Sequence, residues 1–199
     1  MRIVAGSLKG RLLNGPPKGS QFLRPSSDRL REALFNFLIH QGLDFSGTRG
    51  LDLYAGTGAL GIEAISRGAK KVLWVDNNLK SIKIIRENLQ NLNLASGHYS
   101  GVWHGDCLEF FNSKPLEEIL PLKWVFLDPP YESKEIPVIL AKIAEMTQKK
   151  SLLEKQAWLV LECAKRDSFP YSDHLNMPFE YLPKRVYGDT ALHIWKWCS

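Results

Sequence analysis

Cysteine is scarce in this chain of 199 residues: Cys107, Cys163 and Cys198 are odd in number, far apart and free of any CxxC pair. That spacing carries neither a disulfide framework nor a zinc pattern, so reduced thiols are expected. The five histidines, His40, His98, His104, His174 and His193, have no metal-ligand spacing, and no Ser-His-Asp or Cys-His arrangement stands out. No metal is therefore expected. No apolar run approaches the roughly 20 residues of a membrane span. The opening Met1-Arg2-Ile3-Val4 leads into glycine and basic residues rather than the apolar stretch of a secretory leader. A cytoplasmic protein with no membrane partner is the expectation. Internal repeats, low-complexity tracts and a linker to a second domain are also missing, and a polar, weakly patterned surface suggests a monomer.

Acidic charge is nearly absent from the first 31 residues. They hold seven bases (Arg2, Lys9, Arg11, Lys18, Arg24, Arg29 and Arg31) against Asp28, whereas the remainder holds 19 bases against 20 acids. The net charge of +5 thus arises in the first sixth of the chain. A solvated arm would account for it, but clustered Lys and Arg that release counterions from phosphates account for it better. At 44% hydrophobic and 24% charged residues, the rest has the composition of one ordinary α/β domain. We expect a basic N-terminal arm or hairpin over residues 1–25 and a single domain over 26–199.

The periodicity supports that division. Glycine and proline punctuate the first 25 residues, while Leu30, Ala33, Leu34, Phe37 and Leu38 mark a helix capped by Ser26-Ser27. Arg29 and Arg31 lie off its apolar stripe. Strands are expected at Gly50–Tyr54, Lys71–Asp76, Gly101–Gly105, Lys123–Asp128 and Ala157–Glu162. Helices are expected after Gly61, over Asn78–Leu94 with Leu79, Ile82, Ile85, Leu89 and Leu92 inward, over Asp106–Phe111 and over Pro137–Gln148. Two further strand-like runs, Phe179–Val186 and Thr190–Trp197, flank the turn Tyr187-Gly188-Asp189. Strict β-α alternation predicts a doubly wound, mostly parallel, seven-stranded sheet, Rossmann-like, with a C-terminal antiparallel hairpin.

Two loops carry the chemistry. The run Lys-Trp-Val-Phe-Leu-Asp128-Pro129-Pro130-Tyr131 ends a buried strand in two prolines, which donate no amide hydrogen and cannot continue a ladder. A carboxylate, the Pro129 carbonyl and an aromatic ring then stand at one strand end. Two acceptors can hold both hydrogens of a nucleobase exocyclic amine and aim its lone pair, while Tyr131 stacks on the base for roughly 1–3 kcal/mol. The alternative is that Asp-Pro-Pro simply terminates the strand. The second loop, Gly56-Thr57-Gly58-Ala59-Leu60-Gly61, is a G-x-G-x-x-G between strand and helix, with Asp76 ending the next strand. Alone it fits a dinucleotide as well. Asp52, just before it, would repel a pyrophosphate and suits a cofactor with a cationic amino group. Asp76 could then hold ribose hydroxyls and Asp106 an adenine amine. Each aspartate alone could be a cap or turn residue, but four at successive strand ends form a stronger pattern.

Together these residues resemble the class I S-adenosylmethionine-dependent methyltransferases, and within them the RsmD family. Arg2-Ile3-Val4-Ala5-Gly6 and Lys9-Gly10-Arg11 are similar to that family's basic opening. Arg24-Pro25-Ser26, Asp28-Arg29 and Arg31-Glu32-Ala33-Leu34-Phe35-Asn36 match its most particular motif, and Leu51–Gly61, Asp128–Tyr131 and Tyr187–Thr190 match the others. Tyr54 stands where phenylalanine is usual, Thr57 where serine is common, Ser26 for threonine, and Asp76 where glutamate is frequent. The resemblance implies methylation of a guanine N2, position 966 of 16S rRNA in the small ribosomal subunit. It implies S-adenosylmethionine held by Asp52, Tyr54, Ala55, Gly56, Thr57, Gly58, Gly61, Asp76, Asn77, Asp106 and Cys107. Asp128, Pro129, Pro130 and Tyr131 would be catalytic. Arg2, Lys9, Arg11, Arg24, Arg29 and Arg31 would grip rRNA phosphates, joined by Lys184 and Arg185 on the substrate side. Three rivals remain open: a DNA adenine-N6 methyltransferase, which shares the Asp-Pro-Pro-Tyr tetrapeptide, a non-catalytic rRNA-binding assembly factor, and a NAD oxidoreductase.

Overall fold

Seven strands form one sheet in the order β3-β2-β1-β4-β5-β7-β6. They are β1 (Arg49–Leu53), β2 (Lys71–Asp76), β3 (Ser100–His104), β4 (Leu122–Leu127), β5 (Leu153–Ala164), β6 (Phe179–Tyr187) and β7 (Thr190–Trp197). The helices are α1 (Asp28–His40), α2 (Ala59–Ser66), α3 (Leu79–Asn91), α4 (Cys107–Phe110), α5 (Lys114–Glu117) and α6 (Ile136–Lys150). This computed structural model describes residues 1–16, 27–94, 100–130, 133–167 and 179–198. Strands β1 to β5 pair in parallel, and β7 runs antiparallel between β5 and β6. The doubly wound sheet and its antiparallel C-terminal hairpin are as the alternation predicts. No helix among the described residues is long and apolar enough to cross a membrane.

Side chains alternate across a strand, so the buried apolar runs divide into two cores. Leu51, Leu53, Leu73, Val75, Val125, Leu127, Leu159 and Leu161 face α4, α5 and α6. Val72, Trp74, Trp124, Phe126, Trp158 and Val160 face α1, α2 and α3. On the second face Trp74, Trp124, Phe126 and Trp158 make an aromatic layer. Gly50 makes room for it, because a Cβ there would lie 2.1 Å from the Trp124 indole.

The N-terminal residues belong to that second core. Arg2 and Leu12 form an antiparallel bridge, the Ile3 amide donates to the Arg11 carbonyl, and Ile3 and Leu13 are buried with α1–α3. The hairpin docks on α2 through polar groups. Glu63, buried, accepts from the amides of Val4 and Ala5 and pairs with Arg67 at 2.9 Å. The Ser66 hydroxyl accepts from the Leu8 amide and donates to the Ala5 carbonyl. Residues 1–16 are therefore built into the domain rather than appended to it, and 17–25 lie outside the described residues.

Several local expectations need correction. Leu79 is 66% exposed, because it follows the Asn78 cap on the solvent side and the buried stripe starts at Ser81-Ile82. Strand β5 begins at Leu153 rather than Ala157, with Gln156 at φ 58 interrupting it. Helix α4 starts at Cys107 with Asp106 as its cap, and α5 is an additional short turn. Arg31 is fully buried, not off the core face. Its Nη2 donates to the Arg2 carbonyl at 2.6 Å and to Asp28 at 2.7 Å, closing the start of α1 onto the hairpin.

Candidate active site

The carboxyl ends of β1, β2, β3 and β4 bring Asp52, Asp76, Asp106 and Asp128 to one edge of the sheet, where open α/β sheets bind ligands. Their individual states differ. Asp52 is fully buried; its Oδ2 accepts from the Gly61 amide at 2.9 Å, and its Oδ1 has no hydrogen-bond partner among the described residues. Burial pushes its carboxyl up to about 8, against the Gly61 amide and with the help of the Asp76 charge. Asp76 is raised too, by burial, with the amides of Asn78 and Gly56 opposing. Those amides bond to its two oxygens at 2.8 Å each, so Asp76 fastens the glycine loop before any ligand arrives. Asp106 caps α4, its Oδ1 accepting from Leu108 and Glu109, which leaves Oδ2 for a ligand.

The glycine loop is held from every side. The Ala55 amide donates to the Val75 carbonyl, and Gly58, with φ 78, turns the chain into α2. The Trp74 indole N–H donates to the Gly58 carbonyl at 3.2 Å, and Asn88 donates to the Thr57 carbonyl at 3.0 Å. Gly61 is small for packing: a Cβ would lie 2.4 Å from Trp74 Nε1. Asn77 is exposed and its carbonyl meets His104 Nε2, while Cys107 is buried against the loop. Burial drives the Cys107 thiol up to about 12, against a Tyr54 amide contact and with Asp106 adding to the rise, so it offers an uncharged wall.

The Asp-Pro-Pro turn is joined to β1 and to its own continuation. The Asp128 amide donates to the Leu53 carbonyl at 3.3 Å, and the Pro130 carbonyl accepts from Ser133 at 3.2 Å. Asp128 is half-buried, Pro129 buried and Pro130 exposed. Tyr131 lies outside the described residues. One contact here is invisible in the sequence. Tyr54, at φ 56, donates its hydroxyl to Glu135 Oε2 at 2.9 Å, joining the end of β1 to the residue that opens α6. Burial and then the neighbouring Cys107 and acids push the Tyr54 hydroxyl above its ordinary range, so it stays protonated as donor.

The basic residues separate into two groups. Arg2, Lys9, Arg11 and Arg29 are exposed; Arg2 pairs with Asp28 and Arg11 donates to the Asn91 carbonyl. Arg31 is excluded from phosphate contact because its side chain is buried. Arg24 lies outside the described residues. Lys184 and Arg185 are exposed on β6, where the Arg185 guanidinium covers the Phe37 ring at 3.8 Å. The pairings Leu127↔Leu161, Glu162↔Leu192 and Leu192↔Arg185 put Arg185 level with the end of β4. Three strand spacings separate them, about 14 Å. Lys165 and Arg166, which the sequence reading passed over, join that edge where the Lys165 amide meets the Asp189 carbonyl. Among the described residues, no group of three or more His, Cys, Asp or Glu could hold a metal ion.

A family model described as "Conserved hypothetical protein 95" matches residues 1–196. The Bacillus subtilis (strain 168) protein named "Putative rRNA methyltransferase YlbH" is 34% identical over 197 residues, 98% of each chain. "Ribosomal RNA small subunit methyltransferase D" of Escherichia coli (strain K12) is 32% identical over 162 residues, 81% of this chain and 71% of that one. A solved structure named "Putative methyltransferase yhhF from Escherichia coli" shares the fold, with a TM-score of 0.79 at 24% identity, covering 100% of this chain and 98% of that one.

Proposed function

This chain belongs to the RsmD family of methyltransferases, and we propose that it methylates the exocyclic N2 of one guanine in small-subunit rRNA, position 966 of 16S rRNA. The observation that carries the reading is Asp52. A fully buried carboxyl group with one oxygen unpartnered among the described residues, beside a glycine loop and one strand from Asp-Pro-Pro, suits a cationic group. The amino group of S-adenosylmethionine answers it, and a pyrophosphate does not. The donor set suits the rest of that cofactor: Asp76, at the end of β2, would take the ribose hydroxyls, the Oδ2 of Asp106 would take an amine, and uncharged Cys107 and Ala55 offer apolar wall. When bound, the cofactor supplies a methyl group already activated by sulfonium charge.

The chain's own task is then positioning. Asp128 and the Pro129 carbonyl accept the two amine hydrogens, which leaves the nitrogen lone pair aimed at the cofactor side. The prolines keep this turn from rejoining the ladder, so the acceptors stay at the edge. Tyr131 stacks the extruded base, as the pocket of a base-flipping enzyme requires. The proton released from nitrogen passes to Asp128 or water. Exposed cations of the hairpin and of β6 contact the RNA backbone.

The test is transfer of labelled methyl to small subunits from cells lacking this protein, with naked rRNA and duplex DNA alongside and the labelled nucleoside identified. We expect N2-methylguanosine in rRNA, lost in Asp128→Ala. Label in DNA adenine, or no transfer to rRNA at all, would overturn the reading.

A further inference from the structure

Asn88 is a buried polar residue in a mostly apolar seam. It lies on α3 among Ile84, Ile85, Leu89 and Leu92, is 1% exposed, and would ordinarily be an aliphatic residue. Its amide is nevertheless used in full. Oδ1 accepts from the Asn14 amide at 2.7 Å, and Nδ2 donates to the Asn14 carbonyl at 3.1 Å and to the Thr57 carbonyl at 3.0 Å. Both amide hydrogens are thus committed, one to the basic hairpin and one to the glycine loop. The side chain pairs with both backbone groups of Asn14 as a neighbouring strand would. One helical turn on, the Asn91 carbonyl takes Arg11, so the end of α3 lies along hairpin residues 11–14.

The other end of the seam is the cofactor loop. The Thr57 carbonyl belongs to the peptide whose amide is that of Gly58, which donates to the Ala55 carbonyl at 2.7 Å. Orienting that carbonyl therefore orients the turn that starts α2. We propose that Asn88 is a positioning residue that couples the basic hairpin to the cofactor loop, so that RNA engaged by the hairpin and cofactor held by the loop each strengthen the binding of the other. This rests on the rRNA methyltransferase reading above. Asn88 touches neither ligand; it holds the two backbones that do. Because such coupling is reciprocal, it is read equally well from the RNA side.

The dissociation constant of the full chain for unmethylated small-subunit rRNA is measured with and without saturating S-adenosylhomocysteine. The cofactor product should tighten RNA binding about fivefold. In Asn88→Ala the ratio should fall to about one. Asn88→Asp, which keeps the acceptor for Asn14 and loses both donations, should behave alike and decides the matter if the alanine variant does not fold. Met146→Ala, which opens a cavity on the opposite face of the sheet, lowers stability comparably and should keep the wild-type ratio. A wild-type ratio of one, an Asn88 variant that keeps the ratio, or a Met146 variant that loses it would each overturn the coupling. Methyl transfer to rRNA is followed on the same samples. Its presence with an unchanged ratio discards the coupling alone, and its absence in the wild type discards the functional reading with it.

Discussion

The two loops at the sheet's carboxyl edge differ in what holds them. The β1–α2 loop is fastened by side chains from two other elements, Asp76 and Trp74 from β2 and Asn88 from α3, with Asp52 of β1 beneath. The β4–α6 loop is attached by the Asp128 amide, the Pro130 carbonyl and the Tyr54–Glu135 contact, and stiffened by its prolines. A loop that holds a fixed small molecule gains from preorganisation, because the ordering is complete before binding. The glycine loop has that ordering in place.

Breaking the second loop at its acceptor should have the largest effect. Asp128→Ala is expected to lower methyl transfer by about 10²–10³-fold, the usual cost of a lost preorganised polar partner, with cofactor affinity unchanged by calorimetry. Breaking the first loop at its base should show in pH. Asp52 titrates near 8 in the cofactor-free fold instead of 3.8, so a cationic ligand must expel its proton. Cofactor affinity should climb as pH rises toward about 8, where an α-amino group on the ligand begins to lose its own charge; Asp52→Asn should bind about tenfold or more weakly and lose the rise. The fold itself prefers Asp52 protonated. That preference is fully present below 3.8 and lost as pH rises to about 8, so the cofactor-free melting temperature should fall across this interval and fall less steeply in Asp52→Asn.

A smaller effect sharpens the contrast. Tyr54→Phe keeps the ring and removes one hydrogen bond, a change of about 1 kcal/mol. Single-turnover rates should drop about fivefold with the KM for RNA little changed, since only the Asp-Pro-Pro loop loosens. Smallest of all, Arg185→Ala should weaken rRNA binding a few-fold and reduce its salt slope by about 1, measured by titration at several ionic strengths. An undiminished salt slope would remove the β6 edge from the RNA interface.

The sheet and its strand-end acids were legible because both depend on short-range pattern. Runs such as Leu51-Asp52-Leu53 and Val125-Phe126-Leu127 are apolar on two faces, and this marks buried parallel strands. Hairpin docking was not legible, since it rests on single polar residues in helices, Glu63, Ser66 and Asn88, whose partners lie 58 to 74 residues away. Arg31 misled for a related reason. A cation beside an apolar stripe reads as solvent-facing until a carbonyl from the hairpin, with a carboxylate one turn back on its own helix, buries it. Tyr54 read as a variant of an aromatic loop position, and its hydroxyl acquired a purpose only once α6 placed Glu135 beside it.

Trp74 has one more consequence. Its indole is buried under β2 and bonded to the Gly58 carbonyl, whereas Trp124 and Trp158 lie further across the same face and Trp195 on the other. Indole emission shifts with the polarity and hydrogen bonding around the ring, so this side chain is an optical gauge fixed to the glycine loop. With the remaining tryptophans replaced by phenylalanine, its colour and lifetime would follow the loop alone, in real time and without any added label.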